Sequence, residues 1–115
     1  MDLLKFAAHI AKKKKDQRYF LVGAVAIRSD GAVVHATNSA TKIPTPGAHA
    51  EARLMARAGT GSTVFVARAL RGTGELGLAK PCARCLSIMR SHKVKKVYYT
   101  ISSKEYGVIK LDTRL

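Results

Sequence analysis

The chain has no tryptophan, two cysteines, three prolines and seven acidic side chains among 115 residues. Two cysteines exclude a disulfide-built secreted scaffold, which needs several bridges to replace a core. No apolar run approaches the ~20 residues that cross a bilayer, so no membrane span is expected. There is no internal repeat and no linker-like stretch, which excludes solenoids and points to a single domain over residues 1–115. At 47% hydrophobic the chain carries enough apolar side chains for one core. The start does not read as a signal peptide, because Asp2 and Lys5 interrupt it and no small-residue cleavage site follows.

The scarcity of acids leaves a one-signed charge. Lysine plus arginine number 21, for a formal charge of +14 and a pI near 10.3. The cations cluster at Lys12 to Lys15, at Arg68 and Arg71, at Lys93, Lys95 and Lys96, and at Lys104, Lys110 and Arg114. A field of this size draws in polyanions and phosphate-bearing molecules. The alternative is a solvated surface shaped for solubility, but so large an excess in one small domain favours phosphate-bearing partners. The charge does not distinguish a mononucleotide from a nucleic acid strand.

Against this sparse background one split motif stands out: His49-Ala50-Glu51, then Pro81-Cys82-Ala83-Arg84-Cys85 about thirty residues later. It supplies an imidazole, two thiols and a carboxylate left over. Zinc takes thiolate sulfur and imidazole nitrogen, and a catalytic zinc keeps three protein ligands with the fourth position open. His49, Cys82 and Cys85 make three. Zinc lowers the pKa of a bound water to roughly 7. Glu51, two residues from the ligand histidine, is placed to move that water's protons. The bland readings are a redox Cys-x-x-Cys pair or half of a structural zinc site. A structural site needs a fourth protein ligand, and the candidates are His9, His35 and His92. His92 follows Cys85 on the same predicted helix and should point away from the metal. Two cysteines used in a metal motif, with no others, predict a reducing compartment such as the cytoplasm.

The rest of the chain supplies a frame for the motif. Leu3, Leu4, Phe6, Ala7, Ile10 and Ala11 recur at helical spacing, predicting a helix over 2–15 that ends in lysines. Residues 20–28 and 32–37 read as strands joined at Ser29-Asp30-Gly31, a hairpin signal. Residues 38–47 read as a loop, and about 48–58 as a helix stopped by Gly59. A strand over 63–68, a glycine-rich loop over 70–80 and a helix over about 82–92 follow, with Pro81 suited to its first position. Strands over 94–101 and 108–111 finish the chain. A parallel crossover needs a dozen or more residues, so this last pair should be an antiparallel hairpin turning at Ser102 to Tyr106. The alternation predicts an α/β layered domain. Both halves of the motif should open helices, whose N-termini favour thiolates and a carboxylate.

Motif and element order together resemble the cytidine deaminase-like superfamily over nearly the whole chain; H-x-E…P-C-x-x-C is the pattern of zinc nucleobase deaminases. The resemblance implies a three-layer α-β-α fold with a five-stranded mixed sheet and an antiparallel last strand pair. It implies Zn2+ held by His49, Cys82 and Cys85, with Glu51 as the proton shuttle. It also implies substrate contacts at Asn38, Ala50 and Pro81, although Asn38 is also an ordinary turn residue. Self-association into a homo-oligomer is expected on the same ground. Free-nucleoside members resemble this chain in the short last hairpin but usually carry cysteine at the His49 position. Deoxycytidylate, tRNA-adenosine and polynucleotide-editing members share the histidine but usually place a helix between the last two strands. The chain combines the two.

Three functions follow. The first is hydrolytic deamination of a cytosine-type nucleoside or nucleotide, with Arg68, Arg71 or Arg84 placed to hold one phosphate. The second is deamination within single-stranded DNA or RNA, drawn by the charge, with Tyr19, Phe20, Tyr98 or Tyr106 as stacking candidates. The third is a non-catalytic nucleic-acid-binding member, against which the intact Glu51 argues.

Overall fold

The structure, a computed structural model, describes residues 2–13, 20–37, 50–70 and 75–111. In chain order the elements are α1 (Asp2–Lys13), β1 (Phe20–Ile27), β2 (Val33–Thr37), α2 (Ala50–Ala58), β3 (Thr63–Leu70), β4 (Leu76–Gly77), α3 (Ala83–Ser91), β5 (Lys96–Thr100) and β6 (Tyr106–Lys110). The sheet runs β2-β1-β3-β5-β6, with β4 beside β3. The five expected strands are present, and the two-residue β4 is a sixth within the segment read as loop.

β3 organises the sheet. It pairs antiparallel with β1 along its whole length, from Thr63 opposite Ile27 to Leu70 opposite Phe20. Its other edge is shared: residues Thr63 to Val66 lie parallel to Lys96 to Tyr99, and Arg68 and Ala69 pair with Gly77 and Leu76 of β4. Thr100 closes the junction, its hydroxyl donating to the Gly77 carbonyl at 2.8 Å and accepting the Arg68 N–H at 3.2 Å. β1 is antiparallel to both β2 and β3, so β2, β3 and β5 run parallel. The connections through α2 and α3 are therefore crossovers.

The layers follow from side-chain alternation. Ala24, Ala26, Val64, Val66 and Val97 face one way and pack with Ala50, Leu54, Met55 and Ala58 of α2 and Cys85 and Met89 of α3. Val25, Phe65 and Ala67 face the other way and pack with Leu4, Ala7 and Ala8 of α1. This is the expected three-layer α-β-α arrangement. α1 seats directly on the sheet because Gly23 has no side chain: a Cβ there would collide with the Ala7 carbonyl oxygen and lie 2.8 Å from the Ala11 nitrogen. The edge strand β2 is tied down as well. Arg57 donates to the His35 carbonyl at 2.7 Å and Arg53 to the Thr37 carbonyl at 3.3 Å, occupying acceptors that an open edge would offer to another chain.

Element ends show where local chemistry decided. Gly59, at φ +68°, ends α2 as its position predicts. α3 ends in a Schellman motif: the Val94 N–H reaches the Met89 carbonyl at 3.0 Å and the Lys93 N–H the Arg90 carbonyl at 3.0 Å. Val94 and Met89 are both buried, giving the apolar contact that accompanies this motif. The left-handed position is held by Lys93 at φ 56°, where glycine is usual. Val94 is consumed by this cap, so β5 starts at Lys96 and not at 94. Tyr106 belongs to β6, and the turn falls over 101–105. Pro81 is not the first helical residue; Cys82 is the N-cap, with extended φ −70° and ψ 166°, and Pro81 precedes it.

Two outcomes test these contacts by thermal or denaturant unfolding. Gly23→Ala should cost about 1–3 kcal/mol, because helix and strand backbones must separate. Lys93→Gly should stabilise by about 0.5–1 kcal/mol by removing a left-handed non-glycine residue.

Candidate active site

The crossovers decide where the motif halves meet. α2 leaves the C-terminal end of β2 and α3 follows the C-terminal end of β3, and both return across one face. Both helices therefore begin at the same end of the sheet, the end at which open α/β sheets bind ligands. Glu51 lies in the first turn of α2. Cys82 caps α3 and Cys85 lies in its first turn.

The three side chains converge. The Cys85 thiol hydrogen-bonds with Cys82 and with Glu51. Cys85 is 1% exposed and Glu51 7% exposed, while Cys82 faces solvent. Ala50 and Pro81, both expected near substrate, are buried at the starts of α2 and α3. Leu54, Met89, Val66 and Ala79 belong to the same core cluster as Cys85 and form the apolar ground on which these groups sit. His49 and Asn38 lie outside the described residues; His49 is the residue before Ala50, where the description of α2 begins.

The electrostatics of this pocket are unfavourable to its own acids. Burial pushes the Cys85 thiol far above the ordinary value, and the negative charge of Glu51, then the contacts with Cys82, push it further. The helix N-terminus pulls the other way, but desolvation wins. The Cys85 thiol, buried beside the Glu51 carboxylate, keeps its proton unless a cation joins it. The donor set answers to zinc in particular, since thiolate sulfur selects soft or borderline metals over calcium or magnesium. No group of three or more His, Cys, Asp or Glu side chains able to hold a metal stands among the described residues. They contribute two sulfurs, and the ligand set predicted from the sequence takes its third member from His49.

The other histidines stand elsewhere. His9 is exposed on α1. His35 lies on β2, its ring edge-on to Phe6 of α1 at 6.0 Å, on the opposite side of the sheet. His92 caps the far end of α3, its Nδ1 3.0 Å from the Ile88 carbonyl. None of these three joins the cysteines. Of the expected phosphate-holding arginines, Arg84 is exposed in the first turn of α3, Arg68 is half-buried in β3, and Arg71 lies outside the described residues. Thr100 was not singled out by any motif. It matters because it ties β4, and so the approach to Pro81 and Cys82, onto the end of β5; a threonine ending a strand carries no pattern that would reveal this.

A family model for the cytidine and deoxycytidylate deaminase zinc-binding region matches residues 1–101. The chain belongs to that family. No curated protein matches it by sequence. Among solved structures, it is similar to a cytidine deaminase from Burkholderia pseudomallei, with 19% identity, a TM-score of 0.67, and coverage of 96% of this chain and 91% of that one. It is also similar to a cytidine deaminase from Mycobacterium leprae, with 20% identity, a TM-score of 0.60, and coverage of 94% and 89%. A third, from Mycobacterium tuberculosis, gives 21% identity, a TM-score of 0.56, and coverage of 84% and 80%. At these identities the likeness is one of fold, and it bears out the mixed sheet with helices on both faces.

The buried thiol gives a measurable pH dependence. In chelator-treated protein the folded-state pKa of Cys85 is raised, so the stability it contributes is complete below the ordinary thiol value of 9.0 and is lost as pH rises above it. Unfolding midpoints followed from neutral to alkaline pH should fall more steeply for the wild type than for Cys85→Ser. Equal slopes would mean that Cys85 does not ionise against this penalty.

Proposed function

We propose that this family member is a zinc-dependent hydrolytic deaminase of a cytosine-type nucleoside or nucleotide, giving the uracil form and ammonia. The observation that carries the reading is the Glu51 carboxylate, buried and hydrogen-bonded to Cys85 where two helices begin. A module that only bound nucleic acid would have no use for an acid held there against its own desolvation. His49, Cys82 and Cys85 would hold the metal. Zinc, when bound, supplies the Lewis acidity that makes water acidic enough to ionise near neutral pH.

The protein's own groups do the rest. Glu51 takes a proton from the attacking water, delivers it to the ring nitrogen beside the amine-bearing carbon, and passes a proton to the departing amine. The amine leaves as ammonia and the water oxygen becomes the ring carbonyl, so the atoms balance. Ala50 and Pro81 wall the pocket at the two helix starts, and Asn38 is the proposed sugar or base contact. Arg84, exposed beside the site, is the described cation best placed to meet a substrate phosphate.

The charge of +14 favours a second reading, in which the cytosine is part of a single strand. Both readings take the whole chain as one domain, a homo-oligomer of a reducing, cytoplasmic compartment, with no membrane partner. No helix among the described residues is long and apolar enough to cross a membrane.

Ammonia release by the zinc-loaded protein tests the assignment. Substrates offered are cytidine, deoxycytidine, their monophosphates, adenosine and a cytosine-containing single strand. Glu51→Gln should keep its zinc and lose at least 10²-fold in turnover. His49→Ala and Cys85→Ser should lower zinc content. Full turnover by Glu51→Gln, or undiminished zinc in Cys85→Ser, would remove the corresponding role.

A further inference from the structure

α1 covers only part of its side of the sheet. It packs over β1 and β3 and touches β2 and β5 only at its margins. On the same side, the β5–β6 half carries Lys96, Tyr98 and Thr100 from β5 and Tyr106, Val108 and Lys110 from β6, as the alternation and register require. Phe65, under α1, stacks on Tyr98 with centroids 5.0 Å apart and planes 7° apart. Tyr98 in turn lies 6.3 Å from Tyr106, tilted by 48°. An aromatic row thus leads from the core to the open surface, where Tyr106 is 51% and Val108 42% exposed. This is a solvent-facing sheet surface with rings where polar side chains are expected.

The charges on this surface are also out of place. Lys96 and Lys110 are direct cross-strand partners and both are exposed. Like charges directly opposite on one face destabilise a strand pair. Among the described side chains no acid offsets them. Asp30 is in the β1–β2 turn, Glu51 in the pocket and Glu75 bonded to Ser103 at 2.8 Å. Glu105 is in the β5–β6 turn, at the far end of the hairpin. An anionic partner would relieve this repulsion.

We propose that this β5–β6 face is a docking surface for single-stranded nucleic acid, with Tyr106 and Tyr98 stacking bases and Lys96 and Lys110 meeting phosphates. Same-face residues two apart along a strand are separated by about 7 Å, so the rings and the lysines form adjacent rows, not one mixed spot. Rings give sequence-tolerant stacking, and the lysines give a salt-dependent hold on the backbone. A duplex would hide its base faces from Tyr106. A second copy of this chain docking through a two-fold axis would bring the lysine pair against its own like charges. The face lies across the sheet from Glu51 and Cys85, so the surface tethers a strand independently of the pocket and stands whether or not the proposed reaction is right.

The test is fluorescence anisotropy of the zinc-loaded full chain with labelled oligothymidylate of roughly 15 nucleotides, which has no amine for the pocket to act on. Wild type should bind, with affinity falling as salt rises. Lys96→Ala combined with Lys110→Ala should reduce the salt slope by about 1.4, the value for two phosphate contacts on a single strand. Tyr106→Ala should weaken binding about 10-fold, Tyr106→Phe should restore it, and duplex affinity should not respond to either change. Small-substrate ammonia release should be unchanged in all of them, and no melting temperature should fall, that of the lysine double variant rising as the opposed charges are removed. An affinity indifferent to Tyr106→Ala, or a salt slope indifferent to the lysine pair, would overturn the proposal. So would absence of binding at low salt, binding to anionic vesicles in its place, or self-association abolished by Tyr106→Ala.

Discussion

Everything at the site depends on three strands pointing the same way. With β1 antiparallel to both its neighbours, β2, β3 and β5 are parallel. Each return between them must cross the sheet, and α2 and α3 cross on one side. Two helix starts, separated by about thirty residues of sequence, are thereby brought to one end of the sheet. β3 makes this possible because Val64, Phe65, Val66, Ala67 and Ala69 are all buried, so it serves both cores at once. Gly23 supports the arrangement from the other side, letting α1 seat on the strand next to β3 with no side chain between.

That convergence creates a charge problem that the described residues do not solve among themselves. Cys85 and Glu51 are acids, both are buried, and they touch. The charge of Glu51 disfavours the ionised form of Cys85, and the sulfur of Cys82 adds to the conflict. Binding a divalent cation inverts this logic: the same proximity becomes a ligand set and the same burial strengthens the bond. Glu51 lies close enough to the cysteines to feel the charge of whatever they hold, yet carboxylate oxygen is the poorer match for a metal chosen by thiolates. A carboxylate placed so is more useful as a proton carrier than as a ligand. This chemistry supports the division of labour proposed for Glu51 and the cysteines.

What the sequence made legible was what local rules control. Gly59 stops α2, Asp30-Gly31 turns the first hairpin, and the few residues after Thr100 force an antiparallel ending. Of the motif's residues, Glu51, Cys82 and Cys85 lie together, while His49 is outside the described residues. What stayed hidden was set by tertiary context. Nothing local marks Lys93 as a left-handed cap residue; the buried pair Met89 and Val94 imposes it. β4 pairs over two residues, too few for any periodicity to register. Gly23 reads as one more small residue in a strand until α1 is laid against it. Arg53 and Arg57 look like solvated charges on a helix, yet they finish the hydrogen bonding of an edge strand. Pro81 suits the first helical position in sequence, but Cys82 takes the cap and leaves Pro81 two places before the first helical residue.

The short β5–β6 turn has a second consequence beyond fixing the strand direction. Residues 101–105 leave no room for a helix, so nothing from this connection folds back over the sheet. α1 is a single helix about 10 Å wide, enough to cover about two strands spaced about 4.8 Å apart, and it lies over β1 and β3. The face beyond it is left with aromatic and valine side chains that a covering helix would have buried, and with a lysine pair that such a helix would have had to neutralise. A chain this basic has little acid to spare for that purpose. Among the described residues, the short turn and the lack of a facing carboxylate thus leave this surface with apolar rings and positive charge together, the combination a flexible polyanion with flat bases satisfies and a second basic protein does not.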